Sequence, residues 1–429
     1  MTDSLSQQKK PFPSGTPHIA YVTLWYPLFT QPFIFMEAEN LRSRLPLKVY
    51  SLYGENLRHC SKVMLEARNN VERFGVKAAP FILSSVALAF GHDPKLVCGL
   101  AKRALFRKWP SLEVFGENLW GFLAGVALGR RFKEDGIDLV YAPWPRGAAT
   151  AAMTAAALAD LPFGLSARGD NLNPADPDLR DKLTAASFIR ANNRADQRRI
   201  AEFADVGDKT FLVYNNLTLN ASERRPTRFA GKTTRLLAVG RFDVTKGFDI
   251  LLEACAILAS EGVDFKLTLA GGGGRVMGLG GMEKELRALR EKLGLEELVD
   301  LPGLVSHDSL PTLLASHDIF VAPCVIHSSG RRDGIPNTVI EAMAAGMPIV
   351  SSNINALPEV IIDGETGLSV PERDPRALAT AIKEMIRDPE RAEKLGENAA
   401  ALAREMFDPE KNARKLAEHL ANAARKAKD

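Results

Sequence analysis

No stretch of this sequence approaches the roughly eighteen consecutive apolar residues of a membrane-spanning helix, so nothing in it reads as a membrane span. Residues 1–16 are polar and Pro-containing, with Lys9 and Lys10 and no apolar core behind them, so they do not read as a secretory leader. Cysteine is scarce: Cys60, Cys98, Cys255 and Cys324 are far apart, with neither metal-ligand spacing nor a dense disulfide framework. These absences lead us to expect a protein of the reducing cytoplasm. Histidine is missing between His92 and His307, so no His-based role can come from that part of the chain. Surplus charge is also missing, since 55 Lys and Arg against 52 Asp and Glu leave a net charge of +3, too little to imply a nucleic-acid partner. The first apolar run is followed by Tyr26-Pro27-Leu28 and not by a Gly-rich turn, which argues against a dehydrogenase. There is no internal repeat.

What is present is an ordinary globular composition, 46% hydrophobic and 25% charged, in a chain of 429 residues, long enough for two domains with sizeable cores. Residues 18–25 read as a strand, 26–32 as a loop and 33–44 as a helix. A strand over 137–142, an Ala-rich helix over 147–160 and a strand over 163–167 continue the βαβ rhythm of a parallel α/β sheet. After a polar, charged stretch near 215–235, strands near 235–239, 265–270, 319–322 and 348–351 alternate with helices. The expected division is a first domain over 1–215, a linker over 216–234, a second domain over 235–405 and a terminal segment over 406–429, helical from 412 to 428.

Chemistry concentrates in the second half. The stretch from Arg331 to Met343, Arg-Arg-Asp-Gly-Ile-Pro-Asn-Thr-Val-Ile-Glu-Ala-Met, sets Asp333 and Glu341 eight residues apart across a loop entering a helix. Pro336 suits a first helical turn, which leaves Asp333 in the loop and Glu341 in the opening turns. A helix start offers backbone N–H groups and a positive dipole end to phosphate, and a carboxylate accepts from sugar hydroxyls. Earlier, Leu236-Leu237-Ala238-Val239-Gly240-Arg241-Phe242-Asp243-Val244-Thr245-Lys246-Gly247 reads as a buried strand with Arg241 and Lys246 beyond its carboxyl end, where ligands of open α/β sheets gather. The planar fork of Arg and the point charge of Lys together suit a diphosphate without a metal.

These residues resemble the retaining glycosyltransferases of family 4. Gly240-Arg241-Phe242 with Lys246-Gly247, then Asp333 to Glu341 ahead of Ala342-Met343-Ala344-Ala345-Gly346-Met347-Pro348, carry the likeness. Pro358-Glu359-Val360-Ile361 and Asp363-Gly364-Glu365-Thr366-Gly367-Leu368 extend it. It covers roughly residues 232–405 and is weaker before 215. The resemblance implies a GT-B fold: two Rossmann-like domains with parallel sheets facing a central cleft, donor held mainly by the second and acceptor by the first, the terminal helix packed back on the first. It implies a nucleotide-diphosphate sugar as donor, a glycan or lipid-linked glycan acceptor, no bound metal, and a setting in bacterial polysaccharide assembly.

Carried over residue by residue, Arg241 and Lys246 bind the diphosphate and Glu341 the ribose hydroxyls, with Gly240, Gly334, Ile335, Pro336 and Asn337 completing the donor-binding set. Asp333 takes the place of the family's usual Glu; it either contacts the transferred sugar or caps the helix it precedes. Glu341 has the alternative of facing water, and Arg331 and Arg332 either contact an acidic sugar or phosphate or lie in a solvated loop. In the first domain Arg168 stands where the family commonly has His. It either holds the departing phosphate or sugar, oriented by Asp170, or makes a structural ion pair. Trp144 and Arg146 end the preceding strand on the acceptor side, Trp144 as a sugar platform or as a core aromatic. The loop 27–33 lacks the family's glycines, and Asn355 replaces a Gly, which a left-handed Asn can do. Transfer with retention would then rest on Arg241, Lys246 and helix N–H groups stabilising the departing diphosphate. A nucleotide-sugar epimerase and a non-catalytic nucleotide-sugar sensor are the alternatives.

Two further stretches stand out. Gly271-Gly272-Gly273-Gly274 with Gly278, Gly280 and Gly281 reads as a loop beside the donor site. Residues 96–109 mix apolar and basic positions and fit either a helix lying on an anionic membrane leaflet or an ordinary packed helix with a solvated basic face.

Overall fold

The computed structural model describes residues 12–58, 60–217, 229, 231, 233–272 and 282–427. The Gly-rich loop beyond Gly272 and most of the expected linker lie outside the described residues. The chain forms two compact units, the first from Met1–Asn192, Gln197–Asn216 and Pro409–Asp429, the second from Asn193–Asp196 and Leu217–Asp408.

The first unit is built on strands β1 (Ile19–Thr23), β2 (Leu47–Ser51), β3 (Val71–Arg73), β4 (Leu139–Ala142), β5 (Phe163–Ala167), β6 (Phe188–Ala191) and β7 (Thr210–Leu212). They pair in parallel in the order β3-β2-β1-β4-β5-β6-β7. Every residue of β1, β4, β5 and β6 is buried, as expected of a parallel sheet covered on both faces. The strand order reverses between β1 and β4, so the loops after these strands diverge and leave a crevice at their carboxyl ends. One face is covered by the Leu112–Glu134 and Gly147–Ala159 helices, which approach closely: a Cβ on Gly121 would stand 2.5 Å from the Gly147 carbonyl oxygen. On the other face Leu416, Leu420 and Ala424 of the Pro409–Lys426 helix join Ile34, Ala38 and Leu41 of the Pro32–Arg42 helix in one core. Asn412 and Lys415 donate to the Asn215 and Leu212 carbonyls, which pins the start of this helix to the end of β7.

The second unit holds β8 (Thr234–Val239), β9 (Phe265–Ala270), β10 (Val299–Gly303), β11 (Ile319–Ala322), β12 (Ile349–Ser352) and β13 (Leu368–Val370), parallel throughout in the order β10-β9-β8-β11-β12-β13. Its order reverses between β8 and β11. The sequence reading missed β10 and β13, the two edge strands: β10 alternates buried and exposed positions and β13 is only three residues long, so neither shows the continuous apolar run of a central strand. The described end of the expected linker belongs to this unit. Buried Asp318 accepts from the backbone N–H groups of Phe229 and Arg235, at 3.0 and 2.8 Å, which ties that segment to the start of β11.

Candidate active site

Beyond Val239 the chain turns through Gly240 and Arg241 into a single 3-10 turn, Val244–Lys246. Asp243 shapes it, accepting from the Thr245 backbone N–H at 3.0 Å and the Thr245 hydroxyl at 2.9 Å, while Arg331 donates to its other oxygen at 2.9 Å. Burial would raise the Asp243 pKa, but these donors outweigh it and hold the carboxyl below its ordinary range. Gly247 follows at φ +62°, where a Cβ would sit 2.0 Å from the Pro323 carbonyl oxygen, so only glycine permits this join to the Phe248–Ser260 helix. The result fixes Lys246 with its stem in a recess lined by Phe248, Pro323, Cys324, Pro336 and Thr338.

Lys246 Nζ lies 3.1 Å from Asp333 Oδ2, and both side chains are largely buried. Burial would depress the ammonium pKa; the Asp333 carboxylate outweighs both burial and the opposing charge of Arg241, and raises it above the ordinary lysine value. Lys246 is thus paired with Asp333 at the carboxyl end of β8, with the charge of Arg241 close enough to be felt at its ammonium. Cys324 in the same recess is pushed up to about 12 by burial and stays a neutral thiol. Asp333 is aimed by its own backbone, since the Asn355 amide, on a residue with φ +48°, donates to its carbonyl at 2.6 Å. Gly334 and Ile335 complete the loop. Pro336 stands just before the Asn337–Ala344 helix, not within its first turn, and no side chain caps that helix. The capping alternative for Asp333 is therefore not realised: its carboxylate points to Lys246.

One helical turn on, Glu341 is only 3% exposed, so it does not face water. His307 Nε2 lies 3.2 Å from Glu341 Oε1 and gives the buried carboxylate a hydrogen-bonding neighbour that is cationic when protonated. Burial would lower the His307 pKa; the hydrogen bond and charge of Glu341, helped by Asp308, raise it. Arg331 is only partly solvated and braces Asp243.

In the first unit Arg168 follows β5, buried beside Glu37 of the Pro32–Arg42 helix, with Arg168 Nη2 3.5 Å from Glu37 Oε2. Its guanidinium lies over two rings, 5.0 Å from Trp144 and 5.6 Å from Phe33, and its Nε and Nη2 make no hydrogen bond. Glu37 also receives Arg190 in an ion pair, the Tyr21 hydroxyl at 3.0 Å and the Tyr141 hydroxyl at 3.3 Å. Burial would raise the Glu37 pKa, yet the two guanidinium groups overcome it and keep the carboxylate ionised. Two buried arginines against one carboxylate leave a net positive charge below Trp144. Trp144 itself donates to Gln31 Oε1 at 3.3 Å and meets Phe33 edge-on. Arg146 is directed elsewhere, to Asp176 at 3.2 Å. The side chain of Asp170 lies outside the described residues, and the partners found for Arg168 are Glu37 and the Asn215 side-chain oxygen.

Residues 220–402 match the family of glycosyl transferases group 1. That stretch holds all the second-unit residues above. Among curated relatives of this group 1 domain, WcaL of Salmonella typhimurium, provisionally named a colanic acid biosynthesis glycosyltransferase, is 33% identical over 163 residues. That match spans 38% of this chain and 38% of WcaL. The amylovoran biosynthesis glycosyltransferase AmsK of Erwinia amylovora is 34% identical over 148 residues, 34% of this chain and 35% of AmsK. The chain is therefore aligned to well under half of these relatives' length. Among solved structures, Anabaena HepE in complex with UDP and glucose superposes with a TM-score of 0.70 at 19% identity, covering 95% of this chain and 100% of that one. At that identity the likeness shows the fold, which is GT-B: two Rossmann-like parallel-sheet domains.

Within the group 1 domain the structure brings together Gly240, Arg241, Lys246, Asp333 and the Gly334–Asn337 turn, and sets Glu341 behind them. Sequence reasoning missed Asp243, Thr245, Arg331 and Asn355 as the braces of that loop, and His307 as the partner of Glu341. His307 and Glu341 are 34 residues apart, with no periodic signal to link them. In the first unit it missed Glu37 and Arg190, which lie in different elements and look, in sequence, like surface charges.

Proposed function

We propose that the chain is a retaining glycosyltransferase that moves a hexose from a nucleotide-diphosphate sugar to a glycan or lipid-linked glycan acceptor in bacterial polysaccharide assembly. The observation that carries this reading is the pairing of Lys246 with Asp333 beside Arg241, at the mouth of β8 and the uncapped start of the Asn337–Ala344 helix. Arg241, Lys246 and the helix N–H groups would receive the negative charge developing on the departing diphosphate, a role that needs no metal. Asp333 would orient Lys246 and meet the transferred sugar. Glu341 would accept from the ribose hydroxyls, its carboxylate held by His307.

On the first unit, Arg168, its charge shared with Glu37, would attract an anionic group of donor or acceptor, with Trp144 as an apolar platform beside it and Arg146 at the margin. The relatives' names support a polysaccharide setting, since colanic acid and amylovoran biosynthesis are printed in them, and the complex with UDP and glucose supports a nucleotide-sugar donor. A cytoplasmic setting, where nucleotide sugars are available, completes the proposal.

The test is a panel of UDP-, GDP- and ADP-sugars scored for thermal stabilisation and for release of nucleotide diphosphate, with and without a lipid-diphosphate sugar acceptor. Stabilisation by one donor, release only with acceptor, and an anomeric product of unchanged configuration are expected. Conversion of the donor without acceptor would favour an epimerase; binding without release in every mixture would favour a sensor.

A further inference from the structure

The first unit carries a surface that its own core does not explain. Of the ten large hydrophobic side chains exposed in the described residues, seven fall between Val76 and Leu112: Val76, Leu83, Leu88, Phe90, Leu96, Phe106 and Leu112. Five of them are more than half exposed, with Val76 at 85%, Leu83 at 66%, Leu88 at 59%, Phe106 at 79% and Leu112 at 88%. Scattered single hydrophobics are normal, whereas such a concentration marks an interaction surface.

The local structure shows why they face outward. The Ala79–His92 helix turns Ile82 and the polar Ser85 inward and leaves Leu83 and Leu88 outside, an inversion of ordinary amphipathic burial. The Pro94–Leu105 helix buries Val97, Leu100 and Ala104 against Phe122 and Val126 of the Leu112–Glu134 helix, so its packed face is already satisfied. Its outer face still carries Leu96 with Lys95, Lys102 and Arg103, all exposed. The helix therefore packs and also presents a basic, partly apolar outer face, which joins the two alternatives read from its sequence.

Charge decides what this surface fits. From Val76 to Leu112 there are six cations, Lys77, Lys95, Lys102, Arg103, Arg107 and Lys108, against the single carboxylate of Asp93, in a chain that is otherwise nearly balanced. Arg107 is tied to Asp181 and to the Pro177 carbonyl, and Asp93 caps its helix by accepting from Leu96 N at 2.9 Å; the other five cations are exposed. A second copy of the chain docking through the same patch would set these cations against one another. An anionic lipid leaflet would attract them and take up the apolar side chains among them.

We infer that the surface formed by Val76–Leu112 docks the protein on anionic membrane, with Phe106 and Leu112 entering the headgroup boundary and Lys95, Lys102, Arg103 and Lys108 meeting lipid phosphates. This inference stands apart from the transferase reading, since it needs neither donor nor acceptor. It is tested on the full chain by sedimentation with vesicles of phosphatidylcholine alone and of phosphatidylcholine with phosphatidylglycerol. Binding is expected to the anionic vesicles only, and to weaken with salt. Lys102→Glu with Arg103→Glu, and separately Phe106→Ser with Leu112→Ser, each lower vesicle affinity about tenfold or more while the thermal midpoint holds, because all four side chains are exposed. Lys394→Glu, an exposed charge on the other unit, leaves binding unchanged. A fluorophore on exposed Cys98, in a Cys60→Ser background, shifts to the blue on the anionic vesicles. Failure to bind anionic vesicles at low salt, equal binding to neutral ones, or self-association that the Phe106 and Leu112 changes abolish would each overturn the inference.

Discussion

Lys246 and Asp333 in the second unit, and Arg168, Arg190 and Glu37 in the first, are both buried or nearly buried charge clusters at the carboxyl end of a parallel sheet, yet they are built in opposite ways. The first-unit cluster draws on the helix after β1 and on β5 and β6, and its central side chain, Arg190, is wholly enclosed, donating to Glu37 and to the Val213 and Tyr214 carbonyls. The second-unit cluster hangs on two loops, is braced by Asp243, Thr245 and Asn355, and keeps its polar heads near the surface. The difference teaches that the same ion pair serves two purposes. Deep burial makes a charge cluster a structural joint whose loss strands an unpaired ion. Placement on loops at a strand end leaves the charges able to meet a ligand.

The sharpest way to break this comparison is Arg190→Met. It leaves Glu37 with the more distant Arg168 as its remaining cation, and we expect a loss of about 3–5 kcal/mol in urea unfolding, as for other broken buried pairs. A loss under about 1 kcal/mol would show the joint to be dispensable. Lys246→Ala comes next and reverses the pattern: transfer falls by about a hundredfold or more through loss of a charge-stabilising donor, while unfolding shifts little. Wild-type turnover would remove the role assigned to Lys246. Arg168→Met tests whether part of the first-unit cluster also serves a ligand. Transfer is expected to fall by about tenfold to a hundredfold, the range for one charged hydrogen bond, with donor-dependent thermal stabilisation intact. Unchanged kinetics with lowered stability would make Arg168 a joint like Arg190.

The smallest effect belongs to His307. His307→Asn is expected to raise the donor KM by about tenfold or less, with kcat nearly kept, because Glu341 loses the neighbour that positions it. The pH dependence sharpens this. The folded His307 pKa is raised above 6.5, so the ion pair with Glu341 contributes its full stability below pH 6.5 and loses it as pH rises through the folded value. The thermal midpoint of the wild type should therefore fall relative to that of His307→Asn as pH climbs through that window. Parallel midpoint curves would count against the pair.

The fold was legible where its elements are continuous and apolar. The strand over 163–167 was read to the residue, because a buried central strand bounded by Pro162 and Arg168 is mostly apolar; the edge strands β10 and β13 lack such a run and were missed, as were β2, β3, β6 and β7, where Lys48, Glu72 and Arg190 interrupt three of them. The second-unit loop was legible as well, since its residues are close in sequence and their spacing carries the chemistry. The first-unit cluster was not: Glu37 and Arg190 are 153 residues apart, and a charged side chain gives no local sign that it is buried. The outward Leu83 and Leu88 were equally invisible, because an apolar residue on a helix reads as core until its neighbours are placed.

The sequence by itself determined two parallel α/β domains and the loop that holds Arg241, Lys246 and Asp333, because hydrophobic period and short-range motif are properties of neighbouring residues. Only the tertiary structure decided that Asp333 pairs with Lys246 instead of capping a helix, that Glu341 is buried beside His307, that Arg168 rests on Glu37, and that a basic, apolar surface remains uncovered between Val76 and Leu112. Each of these depends on which distant side chains share a burial site, and burial, through the loss of water, sets what a charge or an apolar group does.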